Sequence, residues 1–164
     1  MPSLRQAQLL HATHYIDVLG AADDLYGKGG EALTRGLALF DLEWLNIQVG
    51  FDWAATNVEK DKATAQLCDD YPNAGVHVLA LRQHPHVRIR WLEAALAAAQ
   101  RLNNRSTEGA HLGNLGTAYE TLGNPRHAIK YHEQALAIAR EIHSRRGESN
   151  ALGNLERFPY ACTQ

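Results

Sequence analysis

The chain has 164 residues, 45% apolar and 21% charged, an ordinary globular composition with enough material for a core that needs no staples. Sixteen basic against eighteen acidic side chains leave a formal net charge of −2, so no global field draws the chain to nucleic acid or to an anionic lipid surface. The opening residues lack the unbroken apolar stretch of a signal peptide, no window approaches the ~18 apolar residues of a membrane span, and the expected address is the cytoplasm. Cys68 and Cys162 are too few and too far apart for a disulfide framework or a zinc knuckle, and both are expected as reduced thiols.

From Leu4 to Tyr26, the residues Leu9, Ala12, Tyr15, Ile16, Leu19 and Ala22 recur in steps of three and four and mark one helical face. The run from Gly27 to Gly30 breaks that helix, and a second follows through Leu33, Leu37, Phe40, Trp44, Ile47, Phe51 and Ala54. Residues 1–60 therefore read as an N-terminal helical hairpin and linker. Asn57 to Asp61 is a polar turn, and Ala63 to Leu81 returns to helix, with Pro72 expected to split it near Tyr71. Trp44, Trp53 and Trp91 fall at apolar-face positions and are assigned to the core.

Further along, the chain repeats. The string LGNL occurs at Leu112 to Leu115 and again at Leu152 to Leu155, forty residues on (152 − 112). The same step carries Trp91, Glu93, Ala95 and Leu96 onto Tyr131, Glu133, Ala135 and Leu136, and Pro85 onto Pro125. Periods of ~20–50 residues mark arrays in which each unit buries its apolar face against the next. The expected units are a degenerate one over residues 61–105, a well-formed one over 106–145, and a partial helix with a tail over 146–164. In the best copy Ser106 or Thr107 is the expected cap and Glu108 suits the first turn. Gly123 suits a left-handed helix end and Pro125 the first turn of the next helix. The third copy is expected to open at Glu148; Glu156 stands where Gly116 stood, and Phe158-Pro159 ends the match, which reads either as a cap on the stack or as a truncation.

On these residues the chain resembles a tetratricopeptide repeat protein. Leu112, Leu115, Gly116 and Tyr119 on the first helix, Gly123 and Pro125 at the turn, and Ala128, His132 and Ala135 on the second match the small and large positions of that repeat. The long period is similar to that of the kinesin light chain and Leu-Gly-Asn repeat branch. Glu43, Asn46, Trp53 and Ala54, with RWLEAALAAA from Arg90 to Ala99, resemble the segment joining the ATPase core to the tetratricopeptide sensor arm of bacterial NB-ARC (STAND) regulators. The resemblance implies an all-α, right-handed superhelix of antiparallel helix pairs behind the N-terminal hairpin, and a protein-binding or scaffold role in signalling. The motor is not matched: Lys28, in YGKGGE, has neither the spacing nor the hydroxyl of a phosphate loop.

First helices of such an array line its concave face, which here presents Ala110, Gly113, Asn114, Thr117 and Glu120, then Asn150 and Asn154. An asparagine amide both donates to and accepts from a peptide backbone, so this row suits capture of an extended peptide or protein segment; the same amides could instead bind neighbouring helices and set the repeat angle. His11, His14 and Asp17 align on one helix, but the HExxH pattern that would place a general base beside zinc ligands is missing and solvated surface histidines explain the spacing, so no metal site, cofactor or catalytic set is expected and the chain reads as a non-enzyme. His132 reads as an interhelical core residue. Arg140 and Arg145 are expected to pair with Glu141 and Glu148. The basic second half lacks the interleaved aromatics that stack bases, which disfavours nucleic acid. The alternative to a binding groove is self-association, a homodimer through the open end of the incomplete repeat.

Overall fold

The structure, a computed structural model, describes residues 3–158, so Pro159 and Cys162 and the end of the tail lie outside the described residues. Among the described residues the fold is all-α, with eight helices and no strand. The chain divides into two compact units, Met1–Gln83 and His84–Gln164.

In the first unit α1 (Leu4–Lys28) and α2 (Gly30–Thr56) form the hairpin, turning at Gly29 and Gly30, both at positive φ. Ser3 and Gln6 close a reciprocal capping box at the start of α1, which supplies two amides the helix cannot satisfy itself. The helices run antiparallel and touch at glycines. A Cβ on Gly36 would lie 2.5 Å from the Ala22 carbonyl oxygen, and one on Gly50 would lie 3.3 Å from Ala12 Cα and closer still to the Tyr71 hydroxyl. Ala12, Leu19, Ala22, Phe40, Ile47, Phe51 and Ala54 are buried in the resulting core.

Two further helices complete this unit, α3 (Lys62–Ala74) and α4 (Val76–Arg82). Tyr71 on α3 donates its hydroxyl to the Ala12 carbonyl at 2.8 Å. Asp23 on α1 accepts from the backbone amides of His77 and Val78 at 2.9 and 2.8 Å, and so caps an α4 whose own N-cap, Gly75, has no side chain to offer. The division of the chain thus falls at residue 83, and the 61–105 stretch that repeat arithmetic treats as one unit contributes to both. The split expected near Tyr71 also lies elsewhere. Pro72 is accommodated inside α3 and the break comes at Gly75, because one missing amide costs a single intrahelical bond there, while only a glycine fits against Leu19, whose Cδ1 would lie 2.3 Å from an added Cβ.

In the second unit the helices keep strict register. The helices α5 (Pro85–Arg101), α6 (Arg105–Thr121) and α7 (Pro125–Glu141) each span 17 residues, and α8 (Arg145–Leu155) starts on the same beat. Each turn has one left-handed residue, Asn103, Gly123 or His143. Around it the two backbone bonds of a Schellman motif form, for example Gly123 N–H to the Glu120 carbonyl and Asn124 N–H to the Tyr119 carbonyl, both 2.9 Å. The following residue, Asn104, Asn124 or Ser144, then caps the next helix with its side chain. Asn104 is therefore the cap expected of Ser106 or Thr107, and α8 opens at Arg145, ahead of Glu148. Gln83, forty residues before Gly123, has extended backbone instead, which is why the register begins only at Pro85.

Candidate functional site

Packing inside the second unit decides which face of α6 is left open. Ile89 and Leu92 of α5 pack with Leu115 and Ala118, while Leu112 packs with Ala135 and Ile138 of α7 and Ala151 of α8. Tyr131 joins both clusters and stacks on Tyr119 at 5.4 Å, and His127 also stacks on Tyr119, at 5.0 Å. The tightest approach is between α6 and α7. A Cβ on Gly116 would lie 2.5 Å from Cε1 of His132, a fully buried ring, and Ala128 beside it is also fully buried. Neither ring nitrogen of His132 has a hydrogen-bond partner among the described residues. Its pKa is lowered from the ordinary imidazole value, first by burial, with Arg157 adding to the effect and Glu120 opposing it.

On the opposite face of α6, Ala110 is exposed and Gly113, Asn114, Thr117 and Glu120 are half-buried. The space beside Gly113 is open, with no atom within 4 Å of an added Cβ. Thr117 returns its hydroxyl to the Gly113 carbonyl at 3.2 Å, so it offers a ligand its methyl and a lone pair. Glu120 is engaged by Arg157, just past α8, at 3.4 and 3.5 Å. Sequence reasoning missed Arg157, which stands one period on from Thr117; a search for charge pairs between repeats would have found it. On α8 Asn150 is exposed and Asn154 half-buried. No side-chain hydrogen bond joins Asn114 or Asn154 to a neighbouring helix among the described residues.

Other charges of the second unit join its helices. Arg105 bridges Glu108 and Glu141, with Nε 3.0 Å from Glu141; these bonds raise the Arg105 pKa and lower that of Glu141. Glu108 is buried and also accepts from Gln100 at 3.1 Å. Arg140 pairs with Glu148 at 2.9 Å as expected, but the partner of Glu141 is Arg105, not Arg145. His11 and His14 lie against the ring of Tyr15, at 4.6 and 4.9 Å, and among the described residues no three His, Cys, Asp or Glu side chains gather as for a metal ion. No helix among the described residues is long and apolar enough to cross a membrane. No curated protein matches the chain. The family model of the tetratricopeptide repeat matches residues 89–141, the stretch where caps, turns and the Gly116–His132 contact keep register, and this part of the chain is similar to a tetratricopeptide repeat.

Proposed function

We propose that the chain is a non-enzymatic protein-interaction module that takes up an extended segment of a partner protein along the open face of α6 and α8. Tetratricopeptide repeats are generally interaction modules, and the observation that carries the reading onto particular residues is Asn114. Its half-buried amide makes no side-chain hydrogen bond among the described residues and sits beside the open space at Gly113. A half-buried amide without an internal partner is suited to the backbone of a bound strand. The resemblance to NB-ARC (STAND) regulators further suggests a cytoplasmic sensor or scaffold arm in bacterial signalling, acting on an ATPase outside this sequence. Self-association through the open end of α8 has less support, since Ile142 and Leu152, the large apolar side chains exposed there, are only 37% and 39% exposed.

The test is selection from a random peptide display library on the purified chain, followed by fluorescence titration of the selected peptides. Asn114→Ala and Gly113→Leu should each weaken binding about tenfold or more, by loss of a hydrogen bond and by filling the groove. Peptides that bind both variants as tightly as the parent chain would place the binding surface elsewhere.

A further inference from the structure

The first unit carries an uncovered apolar seam on α2. Leu42, Leu45 and Val49 are 78%, 74% and 58% exposed, and Ala38 is exposed on the same face. The other side of α2 already supplies Phe40, Ile47, Phe51 and Ala54 to the core, so the helix is apolar on two faces and the chain covers one. The spacing along the exposed face is four, three and four residues, the alternation of a two-helix coiled-coil seam rather than the broader stripe of a core-facing helix.

The same spacing extended one step past each end reaches a charge, Arg35 three residues before Ala38 and Asp52 three residues after Val49. Both side chains are exposed, and neither belongs to an ion pair or side-chain hydrogen bond among the described residues. The seam therefore reads Arg35, Ala38, Leu42, Leu45, Val49, Asp52, and it is its own complement when reversed. In an antiparallel pair with a two-fold axis between Leu42 and Leu45, Leu42 meets Leu45 of the second copy, Ala38 meets Val49 and Arg35 meets Asp52, each contact occurring twice. Beside the seam Asp41, already paired with Arg82 at 3.0 Å, lies on the flank that meets Gln48 of the second copy, so no like charges oppose. A parallel pairing would set Arg35 on Arg35 and Asp52 on Asp52. Self-complementarity of this kind is what a two-fold interface requires and what an unrelated partner does not.

We infer that α2 is a homodimerisation surface, occupied by α2 of a second copy of this chain in antiparallel orientation along a seam about 26 Å long, 17 steps at ~1.5 Å rise. The interface lies on a different unit from the peptide groove, so each dimer offers two grooves, and failure of either reading leaves the other standing.

Sedimentation equilibrium of the full chain from low to high micromolar concentration tests it. The parent chain is expected to dimerise, and Leu45→Glu to be monomeric throughout with an unchanged far-UV circular dichroism spectrum, since the side chain it replaces is exposed. Arg35→Asp and Asp52→Arg should each weaken dimerisation about tenfold, because two attractive contacts become repulsive, and the double reversal should restore it to within about twofold. A parent chain that stays monomeric at the highest concentration, a dimer that survives Leu45→Glu, a double reversal without rescue, or a dimer broken instead by Leu152→Glu at the repeat end would each overturn the assignment.

Discussion

Gly113 and Gly116 lie one helical turn apart on α6, and the same substitution should act on them in opposite directions. An added Cβ at Gly113 meets nothing within 4 Å, so Gly113→Ala gains the helix propensity difference, about 1 kcal/mol. At Gly116 the Cβ would lie 2.5, 2.6 and 2.7 Å from three atoms of the His132 ring. That ring is fully buried, so it cannot swing out into solvent. Overpacking of this kind costs about 1–3 kcal/mol, which offsets the propensity gain and leaves Gly116→Ala neutral to about 2 kcal/mol destabilising. The difference between the two variants is then ~1–3 kcal/mol, free of the shared propensity term. For a unit the size of His84–Gln164, each 1 kcal/mol is worth about 4–8 °C in midpoint, well within reach of thermal unfolding followed by circular dichroism. In a His132→Ala background the obstacle is gone, and Gly116→Ala should become stabilising like its neighbour. Equal midpoints for the two single variants, or a Gly116→Ala penalty that persists without the ring, would refute the close α6–α7 contact.

Three other outcomes are expected. His132 has a folded-state pKa below the unfolded value, so its neutral form is favoured in the fold; stability of the second unit should decline as pH falls below about 6.5, and urea titrations of His132→Phe should show a flatter decline. Burial pushes the Cys68 thiol up to about 12, with Asp69 adding to the shift, so in a Cys162→Ser variant a thiol reagent at mildly alkaline pH should label the chain only as fast as it unfolds; rapid labelling of the native protein would contradict the packing of α3. Asp23→Ala should cost about 1–2 kcal/mol in the first unit, measured by urea unfolding, because it removes the long-range cap of α4; an unchanged midpoint would mean water serves those amides equally well.

The second unit was legible in the sequence because its determinants are local. A left-handed residue and a capping side chain act within four residues of one another, and their recurrence at Asn103, Gly123 and His143, with Pro125 added after Gly123, spaces the helices. The candidate groove was legible for the same reason: once α6 is placed, Ala110, Gly113, Asn114, Thr117 and Glu120 share a face by helical geometry alone. Residue identity left open which of those side chains are already engaged. Glu120 is held by Arg157, 37 residues away, and Asn114 is not held, a distinction that depends on how α8 stacks on α6.

The first unit shows the other side of that division. Composition and periodicity announce α1 and α2, but the attachment of α3 and α4 rests on Tyr71 reaching Ala12, 59 residues away, and Asp23 reaching His77, 54 away. No spacing rule encodes such contacts, since a hydrogen bond between distant residues exists only after the helices carrying them have packed. The α2 seam is the sharpest case. Periodicity marks Leu42, Leu45 and Val49 as apolar but cannot say which of two apolar faces a helix buries, and only the packing of α1 and α3 against one face leaves the other exposed to a second copy.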